Sequence, residues 1–125
     1  MGFGGYVNKV KVIDIKNDKI IFENGAELYS VHDQECCENH YLSFDNLVIA
    51  DFEGLEFDLT KDSFFKRIDG YGIELIPING YPIRIPGYGY NNGWYSSDID
   101  LILDFNNGSL KKFNVSNCQI IEWHT

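Results

Sequence analysis

Apolar residues recur along this chain at a spacing of two. Asp98, Asp100 and Asp104 alternate with Ile99, Leu101, Leu103 and Phe105, which predicts a strand with one wet and one buried face. Asn106-Asn107-Gly108 turns the chain, and residues 109–115 return beside it. Upstream, Ile20-Ile-Phe-Glu23 and Ala26-Glu-Leu-Tyr29 flank Asn24-Gly25, a dipeptide that accepts positive φ at both centres of a type I′ turn. Val10, Val12 and Ile15 precede the turn-like Lys16-Asn17-Asp18, so residues 8–31 read as a three-stranded meander. A further hairpin is expected between Ile76-Pro-Ile78 and Tyr81-Pro-Ile-Arg-Ile85, around Asn79-Gly80. Its prolines cannot donate to a ladder, which predicts short or edge strands. A last strand over 119–123 follows the turn at Ser116-Asn117. Glycine and turn residues recur too often for long helices, leaving 33–39, 43–49 and 59–66 as candidates for short helical turns. The expectation is a mainly β protein, α+β at most. It takes the form of a single antiparallel curved sheet or small barrel built from hairpins, with one or two short helices.

No repeat, low-complexity tract or proline- and serine-rich linker divides the 125 residues, so 1–125 reads as one domain. Hydrophobic residues at 44% exclude intrinsic disorder. No apolar run approaches the roughly 20 residues of a membrane-spanning helix. Met1-Gly-Phe-Gly-Gly-Tyr6 does not read as a signal peptide. Three cysteines, two of them adjacent, argue against a secreted disulfide framework. A cytoplasmic location is expected.

Charge changes the picture more. Ten Lys and Arg oppose nineteen Asp and Glu, for a net charge of −9, and the excess is local. Residues 20–60 contain no Lys or Arg, but they hold ten acids: Glu23, Glu27, Asp33, Glu35, Glu38, Asp45, Asp51, Glu53, Glu56 and Asp58. The remaining nine acids and ten bases nearly cancel. Such a segment repels nucleic-acid phosphates and steers toward a basic protein partner or cations.

Two stretches carry candidate chemistry. In His32-Asp-Gln-Glu-Cys36-Cys37-Glu-Asn-His40, a helix would align His32, Cys36 and His40 on one face. Imidazole and thiolate suit zinc, with Cys37, Glu38 or Cys118 as a further ligand. Over two helical turns the two histidines would stand about 12 Å apart, too far to share one ion. As nucleophiles, Cys36 and Cys37 are opposed by Glu35 and Glu38, whose charge raises a thiol pKa. No oxyanion-type glycine turn accompanies them. The expectation is no resident cofactor, with zinc as the alternative. The second stretch starts at Gly70-Tyr-Gly72 and culminates in Gly87-Tyr88-Gly-Tyr90-Asn-Asn-Gly-Trp94-Tyr95. It has the composition of an adaptable recognition loop. Arg84 is placed to stack on a ring or pair with a carboxylate. With Tyr88, Tyr90 and Trp94 it forms an alternative site for a nucleotide-like small ligand.

At His32-Asp-Gln-Glu-Cys-Cys-Glu38 and Asn92-Gly-Trp-Tyr-Ser96 the chain resembles an uncharacterised family of small phage and prophage proteins. That family's pattern is His-Asp-Gln-x-Cys-Cys-Glu followed by Ser-Asn-Gly-Tyr-Tyr-Ser. Trp94 stands in place of an aromatic of the second motif, residues 78–90 look like an insertion, and the resemblance spans residues 30–100. It implies a mobile-element accessory protein, a class that includes inhibitors of restriction and CRISPR systems. The functional expectation is a non-enzymatic binding protein that inhibits a host protein with a basic surface. Glu35, Glu38, Asp51, Glu53, Glu56 and Asp58, with Tyr88, Tyr90, Trp94 and Tyr95, form its contact face. The alternatives are a Cys/His metal-binding or thiol-dependent enzyme, and sequestration of a nucleotide-like ligand.

Overall fold

A computed structural model describes residues 9–31, 39–91 and 98–123. It is mainly β, with twelve strands among the described residues: β1 Lys9–Val10, β2 Val12–Lys16, β3 Lys19–Phe22, β4 Glu27–Val31, β5 Asn39–Leu42 and β6 Phe57–Asp58, then β7 Phe65–Ile68, β8 Gly72–Leu75, β9 Ile83–Asn91, β10 Asp100–Asp104, β11 Leu110–Asn114 and β12 Ile120–Trp123. They form three sheets and no closed barrel, which corrects the expectation of a single sheet or barrel. One sheet has the antiparallel order β11-β10-β4-β3-β2, and a small one pairs β1 with β6. The third is organised by β9, whose first half pairs β8 and through it β7. Its second half carries β5 on one edge and β12 on the other.

The meander and the β10–β11 hairpin appear as read, but the turn chemistry sits elsewhere. The two-residue type I′ geometry belongs to Asn17 and Asp18, with φ 53° and 58°, between β2 and β3. At Glu23-Asn24-Gly25 only Gly25 is left-handed, with φ 90°. There the Phe22 N–H donates to Ala26 O and the Gly25 N–H to Phe22 O, making a three-residue connection. A β8–β9 hairpin forms, but residues 76–78 with Pro77 and Pro82 lie in its connection. The strand β9, which contains Pro86, is nine residues long and paired on both edges, so it is neither short nor at an edge.

Of the helical candidates, 59–66 holds a single 3-10 turn at Asp62–Phe64, 43–49 meets the turn Ile49–Phe52 only at its last residue, and 33–38 lie outside the described residues. Asn39 opens a strand instead of closing a helix. The parallel β9–β12 pair needs a crossover, and the β10–β11 hairpin supplies it by joining the other large sheet.

Buried side chains form one cluster between the sheets, including Ile20, Phe22, Leu28, Phe57, Ile73, Leu75, Ile85, Leu101 and Leu103. Phe57 meets Phe22 edge-on at 6.0 Å and Phe52 at 6.3 Å. A second trio, Phe64, Phe65 and Phe113, seals β11 against the 3-10 turn that leads into β7. The alternation in β10 holds at Leu101 and Leu103. Ile102, on the expected wet face, is also buried between its cross-strand neighbours Tyr29 and Lys112.

Candidate functional site

The base-poor segment contributes one continuous exposed piece, the connection of residues 43–56 between β5 and β6. It departs at Ser43, whose N–H donates to Pro86 O at 2.8 Å. Phe44 and Phe52 are buried and pin it to the core. Between these anchors Asp45, Ala50 and Asp51 are exposed, as are Val48 and Ile49, at 56% and 47%. Asp51 accepts the Val48 N–H at 3.1 Å, which shapes the 3-10 turn. Beyond it Glu53 is exposed, and Asn79 clamps the exit by donating to Gly54 O and accepting the Glu56 N–H. The result is two buried apolar anchors and three exposed carboxylates presented with two aliphatic side chains.

Not every acid of the segment is presented in this way. Glu23 accepts the Lys11 N–H, and Glu27 lies 3.5 Å from Lys19. Asp58 is half-buried, stands opposite Lys9 across the β1–β6 pair and faces Lys61 at 4.0 Å. The Thr60 hydroxyl bond to Asp58 holds its carboxyl below the usual 3.8. Desolvation opposes the shift, while the Thr60 N–H and the charges of Lys61 and Lys111 support it. A depressed carboxyl pKa stabilises the fold above the ordinary value, and that contribution disappears as pH falls through the lowered one. Asp58→Asn is therefore expected to flatten the loss of stability on acidification below about pH 4. Urea midpoints followed from about pH 6 down to pH 2.5 check this, and parallel curves for the two proteins would refute it. Glu35 and Glu38 lie outside the described residues.

Gly87-Tyr88-Gly89-Tyr90 is the second half of β9, not a loop. Small and large residues alternate here at the strand period, a signal masked by the turn-like composition. Tyr88 is 37% exposed and its ring lies 5.8 Å from Tyr41, which no motif singled out. Across β12 its register neighbour is Ile120, also exposed, so Tyr41, Tyr88 and Ile120 form a row over three strands. Tyr90 pairs Asn39 and Glu122 through the backbone ladder. Trp94 and Tyr95 lie outside the described residues.

Arg84 does find a ring and a carboxylate: its guanidinium stands 5.5 Å from the Tyr71 ring and 3.4 Å from Glu74. Arg84 and Tyr88 lie four residues apart on one strand, a backbone separation of roughly 13 Å. Of the Cys/His motif only His40 falls among the described residues, with His32, Cys36 and Cys37 outside them. His40 is buried in strand β5, so the helical alignment does not extend to it. Its Nδ1 lies 2.6 Å from Gln119 Oε1, while Gln119 Nε2 donates to Ser116 O. That orientation makes Nδ1 the protonated nitrogen, because the amide oxygen only accepts. Cys118 is buried beside the start of β12, and desolvation raises its thiol pKa, which lowers its reactivity.

Among the described residues no helix is long and apolar enough to cross a membrane, and no cluster of three or more His, Cys, Asp or Glu is arranged for a metal ion. No family model, curated protein or solved structure matches the chain.

Proposed function

We propose that this protein is a non-enzymatic binding module that occupies a basic surface on a partner protein through the connection of residues 43–56. The carrying observation is the presentation of Asp45, Asp51 and Glu53 together with Val48 and Ile49 on a loop anchored by buried Phe44 and Phe52. Carboxylates steer the encounter with a cationic surface, and aliphatic side chains add desolvation that survives screening. The aromatic row on β5, β9 and β12 extends the contact face, since Tyr41 belongs to the strand from which the connection departs. A nucleic-acid-binding host protein offers the matching basic surface, and its natural occupant there is a phosphate. The resemblance to phage and prophage proteins supports an anti-defence role, of which an anti-CRISPR inhibitor is the specific form, acting in the host cytoplasm.

The reading is tested with immobilised protein and host lysate at low salt and about 0.5 M salt, where the screening length falls to only a few ångströms. A basic partner is expected to be retained at low salt and largely released at high salt. Reversing Asp45, Asp51 and Glu53 to lysine should abolish its capture. Lys66→Glu, at an exposed position of β7, should leave it unchanged. Capture that ignores both salt and the triple reversal would overturn the proposal.

A further inference from the structure

Beside the exposed carboxylates lies a groove of about 370 Å³ between the start of β2 and the 3-10 turn. The buried Val12 and Phe52 line it together with the exposed Ile49, Ala50, Gly54, Glu53 and Lys11. We infer that a basic partner seats one aliphatic side chain in this groove, with lysine or arginine on either side of it in the partner's chain. The inference rests on the acidic-face reading and names where its apolar anchor goes.

Three observations select that occupant. The groove lies at the small end of the range for ligand sites, about 300–1,000 Å³, which suits a side chain or two of a peptide. Charge decides the flanks: Asp51 and Glu53 are exposed on the turn, and Lys11 is the one base in the lining. A phosphate-bearing ligand meets repulsion there, and so does the same acidic loop of a second copy. The neighbouring edge fixes the mode of docking. The β2–β3 ladder shifts register between Val12 and Asp14, leaving Ile13 as a bulged residue, 56% exposed, on the edge strand. A bulge at that edge discourages addition of a partner strand, so docking proceeds by side-chain insertion.

The test uses amide shifts of the isotopically labelled full chain with three synthetic peptides: acetyl-Lys-Arg-Leu-Arg-Lys-amide, its glycine version, and a version with glutamate for every base. The leucine peptide is expected to move Val12, Ala50, Phe52 and Gly54 saturably. It should bind about tenfold more tightly than the glycine peptide, the difference made by burying one leucine side chain. The acidic peptide should not bind. Ala50→Trp, which fills the groove from an exposed position and leaves the carboxylates in place, should remove the leucine advantage. Equal binding and identical shift patterns for the leucine and glycine peptides on the unaltered protein would overturn the groove assignment without any variant. A lysate partner captured equally well by Ala50→Trp, yet lost on triple charge reversal, would sink the groove and leave the acidic face standing. A partner indifferent to charge reversal would sink the acidic face itself.

Discussion

Gly72→Ala is expected to unfold the protein or cost about 3 kcal/mol or more, although alanine in an ordinary strand is harmless. Gly72 does not occupy the left-handed region, so its backbone conformation suits any residue. On that ground alone the change would stabilise by up to about 1 kcal/mol, through loss of freedom in the unfolded chain. Space reverses the sign. An added Cβ would lie 2.0 Å from Ile85 O and 2.8 Å from Gly87 N, and both are backbone atoms of β9. A flexible side chain yields to such an intruder, but here the β8–β9 pairing itself would have to part. Gly87 is confined in the same way, with Cys118 O 2.2 Å from its added Cβ. The comparison that isolates the cause is Gly108→Ala. Gly108 has φ 94° and nothing within 4 Å, so only backbone strain, about 1–2 kcal/mol, is expected. Urea unfolding of the two variants should rank Gly72 well above Gly108. A Gly72→Ala protein as stable as the parent would mean that β8 and β9 are not packed this closely.

The same two glycines explain why part of the fold was legible and part was not. Hairpins are local, so Asn17-Asp18, Asn106 and the alternation of 98–105 announce themselves within a dozen residues. The role of Gly72 and Gly87 depends on Ile85 and Cys118, which no short window contains. A Gly-Tyr-Gly-Tyr run carries turn-forming composition and strand-forming periodicity at once. Composition suggested a loop, whereas pairing with both β5 and β12 makes it the middle of a sheet. The parallel β9–β12 pair is equally non-local, since the chain visits the other sheet between its two strands. At the candidate site, the acidic segment was visible from charge alone. Its neutralisation was not: Lys111 acts on Asp58 from a distant strand, and Lys19 takes Glu27. Burial narrows the exposed acids of the 43–58 stretch to Asp45, Asp51 and Glu53, with Glu56 and Asp58 half-buried.

Phe57→Ala should bring the second large loss, about 3–5 kcal/mol, and should do so unevenly across the molecule. Phe57 is fully buried and packs on Phe22 of β3 and Phe52 of the 3-10 turn. It therefore joins the antiparallel sheet to the far end of the acidic connection. Backbone pairing gives little help there, because β6 meets β1 over only two residue pairs, Lys9–Asp58 and Val10–Phe57. Removing the ring leaves a cavity beneath Phe52 and frees the anchor that holds residues 43–56 in their exposed arrangement. Amide hydrogen exchange is expected to rise first over residues 49–58, while Leu101 and Leu103, on a strand paired along both edges, keep their protection until global unfolding. Phe57→Leu, which retains most of the apolar volume, should cost less than half as much. Binding should follow the same order, because a loop that samples many conformations loses entropy when it docks. Uniform loss of protection in Phe57→Ala, with residues 49–58 no faster than β10, would show that the acidic connection is held by something other than this aromatic contact.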